Sequence, residues 1–118
     1  MKKAIGQYNV KFYLKAIFDK RYKSLESGNP IFDQFMTDYR TPDVVNKFIL
    51  SNIDDVLSER EEQIYITSES SIEVKINQDY AEFYSDLANK TSDFTLQTID
   101  FKKIAQAWKV YLSEGIVL

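Results

Sequence analysis

The sequence predicts an α+β fold, a small and mainly antiparallel sheet packed against helices in a single domain. Three observations lead there. Apolar residues switch from helical spacing to strict alternation and back along the chain. A length of 118 residues with 44% hydrophobic content supports one core and not two. Eight Phe, eight Tyr and one Trp fill that core without disulfides or metals, and three Gly and two Pro leave little material for linkers. Residues 1–118 are therefore expected to form one domain.

The first segment fits two periods. Tyr8, Val10, Phe12, Leu14, Ala16 and Phe18 alternate, while Val10, Tyr13, Leu14, Ile17 and Phe18 also form a helical stripe. Aromatic and β-branched content, with Gly6 nearby, favours a strand. Beyond Gly28-Asn29-Pro30, the spacing of Ile31, Phe32, Phe35, Met36 and Tyr39 predicts a short helix with Pro30 in its first turn. Thr41-Pro42-Asp43 is the clearest helix start. Thr41 caps, Pro42 sits where an N–H has no intrahelical partner, and Asp43 complements the positive end of the dipole. Val44 or Val45, Phe48, Ile49, Ile53, Val56 and Leu57 give that helix, near 43–58, its buried stripe.

Residues 63–67 and 72–77 alternate on either side of Ser68-Glu69-Ser70-Ser71, which predicts an antiparallel hairpin turning Ile64, Ile66, Ile72, Val74 and Ile76 to one core. Asp79 as cap, Glu82 three residues on, and Tyr80, Phe83, Tyr84, Leu87 and Ala88 at helical spacing predict a helix ending near Asn89-Lys90-Thr91. Phe94, Leu96 and Thr98 suggest a short strand. The last element is an amphipathic helix near 100–113, opened by Asp100, stopped at Gly115, and burying Phe101, Ile104, Ala105, Trp108, Tyr111 and Leu112.

Histidine and cysteine are both absent. There is no imidazole base near neutral pH, no thiolate nucleophile, and no soft or borderline metal ligand, so most enzyme classes lose their usual machinery. No enzymatic activity, cofactor or bound metal is expected. Zero cysteines suits a reducing compartment, and no apolar run exceeds three residues, which predicts a cytoplasmic protein without a membrane span and with no membrane as partner.

The net charge of −3 conceals an asymmetry. Residues 1–23 sum to +6, residues 24–101 to −11 and residues 102–118 to +2. A strongly negative middle segment attracts basic partners and repels polyanions, so nucleic acid is not expected to bind. Lys11, Lys15, Lys20, Arg21 and Lys23, interleaved with Phe12, Tyr13, Phe18 and Tyr22, have the composition of a stacking and phosphate-binding surface. They also have that of buried aromatics between solvated lysines, which the acidic remainder favours. The C-terminal end of the 43–58 helix runs into Asp54, Asp55, Glu59, Glu61 and Glu62, a placement that opposes the helix dipole and that folding does not require.

One catalytic pattern is present. Pro42-Asp43 followed by Glu73-Val74-Lys75 has the outline of a metal-dependent nuclease, with Asp43 and Glu73 holding a divalent ion and Lys75 placing a water. Helix capping accounts for Asp43, and any half-buried strand can carry Glu-Val-Lys, so this stands as an alternative only.

Tyr13-Leu14-Lys15-Ala16-Ile17 in an extended N-terminal stretch, and Asp-Phe-x-x-Ile-x-x-x-Trp-x-x-x-Leu from Asp100 to Leu112, resemble immunity proteins of bacterial polymorphic toxin and contact-dependent growth inhibition systems. The resemblance implies an antitoxin that binds and neutralises a cognate toxin domain, frequently a nuclease, without chemistry of its own. It carries over no binding residues. Charge density suggests Asp54, Asp55, Glu59, Glu61, Glu62, Glu69, Glu73 and Asp79 as the toxin-binding surface, with Tyr65 and Tyr80 as aromatic anchors. An interaction adaptor for some other partner is the remaining alternative.

Overall fold

Thr41 and Pro42 do what their sequence positions predict. In the computed structural model, which describes residues 2–86, 88 and 91–114, and side chains from residue 5 onward, Thr41 Oγ1 accepts a hydrogen bond from the Val44 N–H at 3.3 Å and Pro42 opens the helix. That helix runs through three consecutive segments, α3 (Pro42–Val44), a π-helical stretch (Val45–Leu50) and α4 (Ser51–Leu57). The π stretch corrects one expectation. Its i→i+5 bonding puts an extra residue into the turn, so Leu50 rotates into the core while Phe48, expected inside, is 44% exposed.

Upstream lie α1 (Lys2–Gln7), β1 (Lys11–Ile17), β2 (Lys20–Glu26) and α2 (Pro30–Thr37). The first segment thus resolves as a strand, after a short helix that ends at Gln7 and is closed by Asn9, whose positive φ of 54° suits an asparagine. Asn29 caps α2, its Oδ1 accepting from the N–H groups of Ile31 at 3.0 Å and Phe32 at 3.2 Å. Phe32, Phe35 and Met36 are its buried face.

Downstream, β3 (Gln63–Thr67), β4 (Glu73–Asn77), β5 (Tyr80–Tyr84) and β6 (Phe94–Gln97) form an antiparallel meander in sequence order. The 63–77 hairpin is present as expected, pairing Ile64 with Ile76 and Ile66 with Val74. The predicted helix after Asp79 is instead strand β5, with Ala81 and Phe83 inward and opposite Leu96 and Phe94. The Asn77 side chain accepts from the N–H groups of both Asp79 and Tyr80 at 2.9 Å, making a tight turn where a helix cap was expected. Leu87, Asn89 and Lys90, assigned to that helix, lie outside the described residues, as does the Gly115 stop.

α5 (Thr98–Ser113) starts two residues before Asp100. The Asp100 carboxylate is not the cap; it is buried in the first turn, where it accepts a hydrogen bond from the Tyr8 hydroxyl at 3.0 Å. Four helices and two antiparallel sheets therefore make one small α+β domain among the described residues. α2, the Pro42–Leu57 helix and α5 enclose the inner face of the four-stranded sheet. The core between them is aromatic: Phe83 packs against Phe32, Phe35 and Phe101 with ring centroids 5.1–5.3 Å apart, edge to face. Trp108 is fully buried, as expected, and its Nε1–H donates to the Tyr39 carbonyl at 2.9 Å.

Candidate functional site

The end of α4 and the β4–β5 turn meet across a cleft of about 450 Å³. One wall carries Glu59, Glu61 and Glu62, and the other Asn77, Gln78, Asp79 and Tyr80. Local geometry fixes both walls. The helix stops at Ser58, and Glu59 follows with φ 64°, its N–H donating to the Val56 carbonyl at 3.1 Å. Glycine usually fills that left-handed position, and a side-chain-bearing residue there costs about 1 kcal/mol or more. Across the cleft, the Asp79 carbonyl accepts from the Thr98 N–H at 3.0 Å, and Thr98 Oγ1 donates to the Asn77 carbonyl at 2.7 Å. The start of α5 thereby anchors the turn that presents Asp79 and Tyr80.

Five of the ten residues suggested by charge density thus surround one cleft, and five do not. Asp55 is paired with Arg60 at 2.9 Å, and Asp54 with Lys102 at 2.8 Å on the side facing α5. These pairs draw two carboxylates away from the cleft and leave Glu59, Glu61, Glu62 and Asp79 with no ion-pair partner among the described residues. Tyr65 is 55% exposed on the outer face of the sheet, beside Lys75 and away from the cleft. Glu69 lies in the β3–β4 turn beside a small apolar hollow lined by Tyr39, Val44, Phe48 and Ile66. There burial, and then the charges of Asp38 and Glu69, push the Tyr39 hydroxyl up to about 12, so it is no base near neutral pH. Glu73 fits the surface least: at 8% exposed, between Thr67 and Tyr84, the residue offers a partner little area.

Glu73 and Lys75 do share one face of β4, as the nuclease pattern requires. Lys75, however, stands opposite Glu82 and Tyr65, and the Tyr84 hydroxyl donates to Glu82 at 2.9 Å. Asp43 is exposed in the first turn of α3. No three carboxylates converge closely enough to hold a cation among the described residues.

The basic N-terminal segment overturns another expectation. β1 and β2 form a two-stranded arm in full register, from Lys11 opposite Glu26 to Ile17 opposite Lys20, closed by Phe18 and Asp19. Only its root enters the core. Phe12 stacks on Tyr111 with centroids 5.3 Å apart, Leu25 is buried, and Lys23 Nζ donates to the Tyr111 and Glu114 carbonyls. Beyond that root the aromatics are exposed: Tyr13 and Tyr22 at 38–39% and Phe18 at 99%. The reading that buried the aromatics between solvated lysines holds for Phe12 and fails for Tyr13, Phe18 and Tyr22, because among the described residues no second layer covers the outer arm. Strand β2 has no apolar alternation of its own past Leu25, so its pairing with β1 was not visible in the sequence.

Comparison with known proteins gives no matching family model, no matching curated protein and no matching solved structure.

Proposed function

We propose that this chain is a non-catalytic binding protein that neutralises a basic protein partner, an immunity protein whose target is a toxin domain of the nuclease type. The observation that carries this reading is the convergence of Glu59, Glu61, Glu62 and Asp79 on one cleft, with Tyr80 49% exposed at its edge. An enzyme that cleaves nucleic acid needs a basic substrate channel. An acidic wall of this kind competes for that channel, excludes the polyanion and speeds encounter by electrostatic steering. Tyr80 supplies an apolar body with a polar tip, the sort of residue that anchors a desolvated contact. The absence of histidine and cysteine accords with a protein that acts by occupancy alone.

The test uses the toxin domain expected from the reading frame beside this one. Association is followed by stopped flow at several salt concentrations, for the wild type and for the combined Glu59→Lys, Glu61→Lys, Glu62→Lys variant. The variant should associate roughly 10–100-fold more slowly at low salt and lose most of the salt dependence, with dissociation changed less. Unchanged association and an unchanged salt slope would reduce the cleft to solvated surface and sink the proposal.

A further inference from the structure

We infer that the outer part of the β1–β2 arm is a contact element for an anionic lipid surface. The inference is independent of the acidic cleft and does not depend on what that cleft binds.

The tip is apolar where folding gives it no reason to be. Ile17 is 45% exposed and Phe18 99% exposed, so a large ring stands wholly in water at the end of the arm. Phe18 also has φ 54°, at the first position of a two-residue hairpin connection. Glycine or asparagine is favoured there, and a bulky side chain with positive φ is strained. Both the exposure and the backbone conformation work against stability, and neither is offset by a contact among the described residues.

Around the tip the charge is basic. Lys15, Lys20 and Arg21 are exposed against Asp19, and Arg40 borders the face of β2 that carries Tyr22. The register places Tyr22 and Lys15 opposite each other, two residues behind the Ile17 and Lys20 pair. At the rise of a strand that is about 7 Å from the tip. Apolar groups that enter a bilayer interface reach about 5–10 Å deep. An arm seated to that depth places Ile17 and Phe18 at the acyl boundary, Tyr22 at headgroup level, where tyrosine is favoured, and the cations among the phosphates.

The overall charge of −3 does not forbid this. Charges more than about 8–10 Å apart are screened at physiological salt, so a membrane senses the arm and not the distant acidic cleft. Two other occupants fit less well. A single strand of nucleic acid tracks a basic groove over several nucleotides, but the groove beside Tyr13 and Tyr22 is lined also by Glu26 and Asp33, and Ile17 offers no stacking face. Arm-to-arm pairing with a second copy would bring two arms that each carry Lys15, Lys20 and Arg21 together, a like-charge contact. The contact inferred is peripheral, and among the described residues no helix is long and apolar enough to cross a membrane.

The experiment is co-sedimentation of the full chain with vesicles of phosphatidylcholine alone and of phosphatidylcholine containing one-third phosphatidylglycerol. The wild type should bind the anionic vesicles, bind them less as salt rises, and leave the neutral ones in solution. Phe18→Gly relieves the backbone and removes the ring, so the fold is retained; it should weaken anionic-vesicle binding roughly 10–100-fold. The combined Lys15→Glu, Lys20→Glu, Arg21→Glu variant should weaken it roughly 100-fold or more. No vesicle binding by the wild type, equal binding to neutral vesicles, or full binding by Phe18→Gly would each overturn the inference. So would a labelled single-stranded oligonucleotide, or self-association in sedimentation velocity, that depends on Phe18 while the vesicles stay unbound.

Discussion

Trp108→Phe is the sharpest test of how the arm and the core are joined. The indole is fully buried, its Nε1–H donates to the Tyr39 carbonyl at 2.9 Å, and its ring lies 5.8 Å from Phe12 and 6.0 Å from Tyr111. Phenylalanine keeps an aromatic ring but has no donor. Depriving a buried carbonyl of its partner costs about 1–3 kcal/mol. The space left by the smaller ring adds about 1–2 kcal/mol. A total loss of about 2–5 kcal/mol is a large share of the 5–15 kcal/mol typical of a domain. At roughly 3–6 °C per kcal/mol for this size, the melting temperature should fall by about 6–30 °C. Urea titration followed by circular dichroism measures the loss of stability and a thermal scan the melting temperature, because the substitution removes the only tryptophan as a probe. In the wild type that tryptophan should emit to the blue of free indole and red-shift on unfolding. A loss below about 1 kcal/mol would refute the buried hydrogen bond and the packing of Phe12 on α5.

Glu59→Gly should raise stability by about 0.5–1 kcal/mol, read as a higher urea midpoint, because it relieves the left-handed conformation; a lower midpoint would mean that the carboxylate is held by the fold. Two half-buried carboxyls should shape the acid limb in opposite senses. Burial raises the Asp38 carboxyl, but hydrogen bonds from the Gln34 amide and from the Ser70 hydroxyl and N–H outweigh it and hold the group below its ordinary value. Its contribution is complete above the unfolded aspartate pKa of about 3.9 and is lost as pH falls through the folded value, so Asp38→Asn should flatten the fall in stability between about pH 5 and 3. Burial raises the Asp33 carboxyl despite its bonds from the Ser27 N–H and hydroxyl. Its contribution is present below the unfolded pKa and is lost as pH rises through the folded value, so Asp33→Asn should steepen the same limb. Thermal melts across that pH range decide both, and identical acid limbs in all three proteins would contradict the assignment.

Local chemistry made much of the fold legible. Asn29-Pro30 and Thr41-Pro42 satisfy their helix starts with their own side chains, and Ile64, Ile66, Val74 and Ile76 have only one face to bury. Strand β5 was not legible, because Tyr80, Phe83 and Tyr84 meet a helical period while Ala81 and Phe83 meet a strand period. The decision came from afar: Phe94 and Leu96 pair with it, and Thr98 fixes the turn before it. The site was legible to the same degree. Glu59, Glu61 and Glu62 are neighbours in sequence, so charge density located them, whereas Asp79 and Tyr80 join them only through the β4–β5 turn.

Glu73 and the arm failed for a shared reason. Alternation says which residues share a face, but not whether that face is covered. The outer face of β4 covers most of Glu73, while the alternating residues of β1 beyond Phe12 meet solvent. Backbone conformation marks two residues that the pattern does not. Glu59 and Phe18 occupy left-handed positions in a chain whose described glycines include one, Gly28, that does take positive φ. Glycine at either site would fold at least as well. An acidic group is held at the first and an aromatic ring at the second, each at the rim of an exposed surface, and folding alone selects neither residue.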